Sequence, residues 1–295
     1  MESGKKKLAC LTMDVEDLSE FDSLVFGEVH CKVSAMDGFD AFLSLLSEEN
    51  IKGTFFVLSS RLEIDKERLL RLKEERHEIA LHGKDHLRVD RYNQEDCIKD
   101  LIDAKKEIEK KLGVTIYGNR FPGWIMPNGV DRVLKETGLL YDCTYTATSK
   151  NYPALKKQKK LDSSKRSGAI YDFGDEHYEI AMPSAPILAY SKAAIGGGPM
   201  VRFSDTASLK RAIKKATKKG DEFVFYCHPF EFSSSRIRKR IGLPFYRYYY
   251  LTAKRRRYLK RVKKIIAYLR SEGYEFVTCK ELIDIKKEEK EKTLN

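Results

Sequence analysis

Residues 77–86 read His77-Glu78-Ile79-Ala80-Leu81-His82-Gly83-Lys84-Asp85-His86. The run from Glu78 to Leu81 is short, mostly apolar and followed by a glycine, which suits a buried parallel strand. It ends in two histidines four residues apart. Polar side chains gathered at the C-terminal end of a buried strand are the mark of an α/β barrel, whose active site collects at that face. Working outward, the same construction recurs. Leu8–Met13 is an apolar run that ends in Asp14, Glu16 and Asp17. GTFFVLSS (53–60) is β-rich, and IYGNRFP (116–122) leads into Arg120, Pro122 and Trp124. LLYDCTY (139–145) carries Asp142, and DEFVFYCHPFEF (221–232) carries His228.

Helical patterns fill the gaps. Phe39, Phe42, Leu43, Leu45 and Leu46 recur at helical spacing, as do Ile98, Leu101, Ile102 and Ile108. Residues 64–75 read as a second helix, VDRVLKETG (130–138) as a helix with a glycine stop, and 208–220 as another. YEFVTCKELI (274–283) reads as a strand and a short helix. The rhythm breaks after Tyr145: residues 148–170 look like a polar surface excursion, and the stretch through Gly196-Gly197-Gly198-Pro199 looks irregular. No repeat of 20–50 residues is visible. Alternating strand and helix over 1–295 predict an α/β fold, a single-domain TIM-like barrel.

Hydrophobic residues make up 42% and charged residues 34% of the 295, enough apolar content to build a core and too much to leave the chain disordered. No apolar run is long enough for a membrane-spanning helix, and the apolar stretch after the first lysines is shorter than a secretion signal. Cys10, Cys31, Cys97, Cys143, Cys227 and Cys279 form no CxxC pair and read as reduced, mostly buried thiols. Both features predict a cytoplasmic protein. The net charge of +12 is confined: residues 233–271 hold fourteen Lys or Arg and no acid, which leaves −2 for the rest.

Two histidines four apart with a carboxylate make a site for a first-row divalent ion with open positions for water and substrate. Such an ion lowers the pKa of a water and polarises a carbonyl. Hydrolysis of an acyl group also needs a base and an acid for the leaving nitrogen. Asp14 suits the base and His228 the acid, with Arg120 aiming Asp14 and Asp142 orienting His228. His30, His77 and His177 read as ordinary surface or core histidines, and Trp124 as either core or a platform for a sugar ring.

LTMDVED, HEIALHGKDH, GNRFPGW, YDCTY and FYCHPFEF, in this order over about Leu8–Leu282, together resemble the polysaccharide deacetylase superfamily, the NodB-homology group or carbohydrate esterase family 4. The DVED form and GGGPMVRF are most similar to a subgroup found with exopolysaccharide and capsule genes. The resemblance implies a distorted (β/α)7 barrel. It implies Asp14 as base, Arg120 as its tether and His228 as acid. It implies His82, His86 and either Glu16 or Asp17 as metal ligands, with Zn²⁺ the first choice and Co²⁺, Mn²⁺ or Ni²⁺ as alternatives. The oxyanion would lie between the metal and a backbone N–H just after Pro122. Two departures stand out. The second acid of the usual adjacent pair is displaced here: strand alternation favours Glu16, whereas a turn would present Asp17. Gly123-Trp124 replaces the usual third-motif neighbours, so Pro122 and Trp124 bear on the sugar subsite.

The expected activity is removal of an acetyl group from an N-acetylated sugar, a nucleotide- or lipid-linked precursor of a surface polysaccharide. The alternatives are hydrolysis of a small cyclic amide or ureide, and a carbohydrate-binding protein without catalysis. The basic segment mixes Phe245, Tyr246, Tyr248, Tyr249 and Tyr250 with its cations. It reads as a solvated helix and loop, as a dock for anionic lipid at the inner face of a membrane, or as a grip on a diphosphate-linked sugar. A nucleic-acid partner is not expected, because no recognised binding motif accompanies the charge.

Overall fold

The computed structural model describes residues 6–21, 33–91, 93–146, 160–187, 190–219, 222–237 and 244–294. His30 and Cys31 lie outside them, as do residues 147–159 of the expected excursion. The chain begins with β1 (Lys7–Val15) and α1 (Asp37–Glu48), then β2 (Thr54–Val57), α2 (Lys66–Glu74), β3 (Glu78–Leu81) and α3 (Gln94–Leu112). β4 (Gly118–Asn119), α4 (Val130–Thr137) and β5 (Tyr141–Asp142) complete the first half. The second half holds β6 (Arg166–Ser167), β7 (Ile170–Gly174), β8 (His177–Ile180), β9 (Ser184–Ile187), β10 (Tyr190–Ala194), α5 (Gly198–Phe203) and α6 (Thr206–Ala216). It ends with β11 (Glu222–Cys227), α7 (Pro229–Phe232), α8 (Phe245–Thr252), α9 (Tyr258–Ser271), β12 (Tyr274–Phe276) and α10 (Cys279–Leu294).

Seven strands run parallel in the order β11-β1-β2-β3-β4-β5-β8, the distorted (β/α)7 barrel. β12 adds beside the first residues of β1, and β7 and β6 extend the sheet antiparallel beyond β8. The two-residue alternation of β1 sorts its side chains into two layers. Ala9, Leu11, Met13 and Val15 pack outward in the core shared with the helices. Leu8 and Cys10 point into the barrel, where Phe56, Ala80, Tyr141, Ile180 and Val224 meet them and Cys279, Leu282 and Ile283 of α10 close the floor. Continuing this inner face upward gives Thr12, Asp14 and Glu16, so the interior changes from apolar floor to polar mouth along one strand.

The helices follow from their periodic apolar faces. In α3 the side chain of Asn93 accepts from the Asp96 N–H, and Gly113 ends the helix at φ 62°. Cys97, Ile98, Leu101, Ala104, Ile108 and Leu112 form its buried stripe.

Closure of the barrel uses backbone. Beyond β8 the chain returns so that the Ile195 N–H donates to Pro183 O at 3.0 Å and the Tyr226 N–H to Gly196 O at 2.8 Å. Gly197 forms a parallel bridge to Tyr226, and a Cβ there would lie 1.7 Å from Tyr226 O. Glycine is required because two backbones touch.

Three expectations change. The middle section is not irregular: β7 and β8 form a hairpin whose turn puts Asp175 at φ 49° and Glu176 at φ 64°. That turn normally advertises itself with Asn-Gly, and here two acidic residues adopt it, so the signal was missing. The closing helix is 16 residues long, because an exposed polar face continues past its apolar anchors. Ile64 lies outside α2 and is largely exposed.

Gly38, in the first turn of α1, abuts the turn after β11. A Cβ there would lie 1.8 Å from Pro229 O, a backbone atom that cannot swing aside. Gly38→Ala is expected to lower the stability by about 1–3 kcal/mol through overpacking. A urea midpoint unchanged from the parent would show that the contact is slack.

Candidate active site

The mouth of the barrel collects residues from four strand ends. Asp14 and Glu16 come from β1, His82 from β3, Arg120 from β4 and His228 from β11; all are buried. Glu16, His82 and His86 bring one ligand atom each to within 4.8 Å of the others. The Glu16 N–H bonds back to Asp14 O at 3.0 Å, a tight bend that keeps both carboxylates on the inner face. Asp17 turns away: its Oδ1 accepts the N–H groups of Leu18 and Ala35, each at 2.7 Å, and its Oδ2 lies 4.0 Å from Arg61. Of the two acids left open by the sequence, the structure gathers Glu16 and gives Asp17 a structural post.

The histidines are oriented from behind. His82 Nδ1 pairs with Arg120 O at 2.7 Å and His86 Nδ1 with Glu20 O at 3.1 Å. A carbonyl accepts only, so each Nδ1 carries the hydrogen there and each Nε2 turns a lone pair inward. His82 Nε2 stands 3.9 Å from Glu16 Oε2, and His86 Nε2 touches the same oxygen. Two lone pairs and a carboxylate oxygen facing one another in a dry pocket fit a divalent cation, and a His, His, Glu set suits Zn²⁺ among first-row metals. Burial pushes the His82 ring down to about 4, whereas at His86 burial is overridden by Glu16, which raises it. His86 holds φ 54°, a left-handed conformation that a side chain adopts only where the surroundings impose it.

Asp14 is locked on Arg120, with Arg120 Nη1 donating to Asp14 Oδ1 at 2.5 Å and to Thr12 Oγ1 at 2.9 Å. The guanidinium is fully buried between the rings of Phe56 (4.0 Å) and Trp124 (4.7 Å), and its Nε donates to Cys143 O at 3.0 Å. Burial alone would raise the Asp14 carboxyl; Arg120, His82 and His228 outweigh it and hold it below the usual carboxylate range. Removing one partner of such a pair costs about 3–5 kcal/mol, because the other charge stays buried.

His228 Nε2 sits 3.2 Å from Glu16 Oε1 and 3.9 Å from Asp14 Oδ2. Burial opposes its charge, but Glu231, Glu16 and Asp14 raise its pKa to about 9. Asp142 does not meet it. Asp142 Oδ1 accepts from Asn119 at 2.9 Å, and the carboxyl is raised by burial beside Glu179, itself raised well above its usual range by burial and by Asp142. With Asn119 and Glu179 as its neighbours, Asp142 belongs to the barrel wall. The acid behind His228 is Glu231, which the sequence reading missed. Its sign was the spacing of His228-Pro-Phe-Glu231 at a helix start, where the fourth residue reaches back to the first. Pro122 is buried under the mouth, and Trp124 covers Arg120 and packs edge-on against Tyr226 at 4.8 Å. His77 and His177 are engaged elsewhere, with Gly53 N–H and Leu139 O respectively.

Comparisons with known proteins agree with this geometry. Residues 5–141 match the family model for polysaccharide deacetylase, and residues 157–284 match a domain of unknown function. A search of curated proteins returned no match. Among solved structures the chain is similar to a putative polysaccharide deacetylase from Mycobacterium smegmatis (TM-score 0.61, 18% identity, 98% of this chain and 94% of that one). It is similar to a mutant of a peptidoglycan deacetylase from Bacillus subtilis (0.52, 16%, 98% and 96%) and to a CE4 family pseudoenzyme from Bacillus anthracis (0.53, 11%, 95% and 66%). At such identities the structures speak for the fold. The two matched segments build one barrel, since β1 pairs with β11, and the mouth draws His228 from the second segment.

The different posts of Glu16 and Asp17 are separable by metal titration. Loss of a partner behind a ligand typically costs 10–100-fold in metal affinity. Glu16→Gln, which changes the ligand itself, is expected to weaken Zn²⁺ binding by more than about 100-fold. Asp17→Asn is expected to bind Zn²⁺ as the parent does while melting at a lower temperature. Calorimetric titration that ranks the two the other way would reassign the ligand.

Proposed function

We propose that the protein is a metal-dependent hydrolase that removes the acetyl group from an N-acetylated sugar; the match of residues 5–141 to the polysaccharide deacetylase model, a family of N-deacetylating hydrolases of non-peptide carbon–nitrogen bonds, supports it. The observation that carries this reading is the convergence of Glu16, His82 and His86 with an arginine-locked Asp14 and a proton-holding His228. A pseudoenzyme shares the fold, so the fold alone does not separate a hydrolase from a sugar-binding protein; the complete set of groups argues for chemistry.

The roles follow from the environments. Glu16, His82 and His86 would hold a divalent cation, which would supply Lewis-acid polarisation of the acetyl oxygen and a more acidic water. Asp14, ionised and aimed by Arg120, takes a proton from the attacking water as it adds to the acetyl carbon. His228, charged at neutral pH, gives its proton to the sugar nitrogen as the C–N bond breaks, leaving acetate and a free amine. Trp124 at the rim offers an apolar face beside the sugar, and Pro122 shapes the wall beneath it.

The basic segment favours a carrier-linked substrate. In α8, Phe245 is 68%, Tyr246 65% and Tyr249 48% exposed, and Lys254, Arg256, Arg257 and Lys260 stand exposed just beyond. Arg255 is no part of that surface, because it donates inward to Phe230 O and Ser233 O. Tyr250 of the same helix stacks on Phe21, and Phe21 packs on His228, so the aromatic and cationic face adjoins the mouth. Aromatic rings beside cations suit the headgroup layer of an anionic membrane. The proposed substrate is a lipid-diphosphate-linked N-acetylated sugar, a precursor of a surface polysaccharide, met at the inner face of the membrane. Cys10, Cys143, Cys227 and Cys279 are free and buried, in keeping with a reducing compartment. Among the described residues no helix is long and apolar enough to cross a membrane.

Metal-stripped enzyme reloaded with Zn²⁺ is expected to release acetate from a lipid-linked N-acetylated sugar, and more slowly from a nucleotide-linked one. Asp14→Asn, checked for folding by its melting curve, should lower the rate by about 100-fold or more. No acetate from any sugar, with Zn²⁺ bound, would move the assignment to a small cyclic amide or to a binding role.

The surface has its own test. Sedimentation with phosphatidylglycerol vesicles should fall on Tyr246→Ser/Tyr249→Ser and on joint replacement of Lys254, Arg256, Arg257 and Lys260 by Gln, by about tenfold or more for the four charges together. Unchanged sedimentation of both variants would remove the membrane from the account.

A further inference from the structure

The stretch Gly196-Gly-Gly-Pro-Met-Val-Arg202-Phe203 and the residues after His228 converge in the fold although more than twenty residues separate them. Arg202 and Glu231 are both fully buried, with Arg202 Nε 3.2 Å from Glu231 Oε1. Arg202 Nη1 also donates to Tyr250 O at 2.6 Å, and its guanidinium lies over the rings of Phe203, Phe230 and Tyr250. The other oxygen of Glu231 serves the active site. Glu231 Oε2 accepts from the His228 N–H at 3.2 Å and the Tyr258 hydroxyl at 3.1 Å, and it lies 3.7 Å from His228 Nδ1.

We propose that Glu231, held by Arg202 and Tyr258, is the positioning residue that fixes the imidazole of His228, in place of an acid from the fifth strand. The argument is geometric. His228 Nε2 must face Asp14 and Glu16 to act, and that aim requires an anchor on the opposite side of the ring. Among the described residues Glu231 is the carboxylate behind Nδ1, and Asp142 is committed to Asn119 and Glu179. A carboxylate flanked by a guanidinium, a hydroxyl and a backbone N–H is held in one place, which makes it a fixed post. α7 is a single turn that starts at Pro229, so His228 and Glu231 are set at i and i+3 by the backbone itself. Phe230 also stacks on the His228 ring, with centroids 5.4 Å apart.

The rate measurement rests on the deacetylase reading, whereas the spectroscopic one does not. In Glu231→Gln, kcat is expected to fall about 10–100-fold, the usual range for a partner behind an active group, with KM and bound Zn²⁺ unchanged. Glu231→Asp should recover part of the loss. The double variant Arg202→Met/Glu231→Gln leaves no buried charge unpaired, so it keeps the question open if a single variant fails to fold. Its kcat should be no lower than that of Glu231→Gln, because the two residues act as one unit. In parallel, ¹⁵N NMR of labelled histidine in the parent should show His228 in one tautomer and orientation, and in the double variant a mixture. A folded double variant with parental kcat, or an unchanged His228 spectrum, would overturn the proposal. A changed spectrum with no acetate from the parent would instead leave the positioning role standing and remove the deacetylase assignment.

Discussion

Arg120 and Asp14 form the ion pair on which the rest of the mouth depends. A guanidinium with no solvent exposure is tolerable only if every donor is used and an anion lies beside it. Here Thr12, Asp14 and the Cys143 carbonyl use its donors, Phe56 and Trp124 sandwich its plane, and its own carbonyl fixes the tautomer of His82. One residue therefore sets the charge of Asp14, the aim of His82 and the seat of Trp124. The apolar floor contributed by α10 supports that pair, because it excludes water from below and strengthens the interaction above.

Much of this was readable from residue order. The strand ends named Asp14, His82, His86, Arg120 and His228 because polar side chains at the close of apolar runs have little structural reason to be there. Glu16 and Asp17 stayed open in the sequence, because alternation presents one and a turn the other; in the fold the bend at Glu16 brings that carboxylate to His82 and His86. Asp142 was misplaced because its two-residue strand aims it sideways, at Asn119 and Glu179, and orientation around a barrel is not encoded in distance along the chain. Glu231 was overlooked because its signal looks like an ordinary helix start. Arg202 follows Pro199-Met200-Val201 with no spacing that marks its partner, and only burial reveals what it does. The β7–β8 hairpin escaped because acidic residues stand where glycine normally marks the turn.

The two matched segments divide the work unequally. The first contributes Asp14, Glu16, His82 and Arg120, on β1, β3 and β4, and the second brings His228 and Glu231 on β11 and α7. The glycines at 196 and 197 make their meeting dry and close, since any side chain there would run into the carbonyls of Val224 and Tyr226. The same segment, a few residues later, delivers Arg202, so closure of the barrel and support of His228 are achieved by one piece of chain.

The partners of β1 carry a kinetic consequence. This strand is central, yet its neighbours include residues 222–227 and 274–276, more than two hundred positions away. Such pairing raises the contact order, and loop-closure entropy must be met before those contacts reward it. On the ribosome the nascent first half holds an unpaired edge of β1 and an open apolar interior until β11 emerges. At a synthesis rate of about 5–20 residues per second, that exposure lasts on the order of ten seconds or more. A chaperone that shields strand edges would act on this half during that interval, and the catalytic mouth would come into being only at its close.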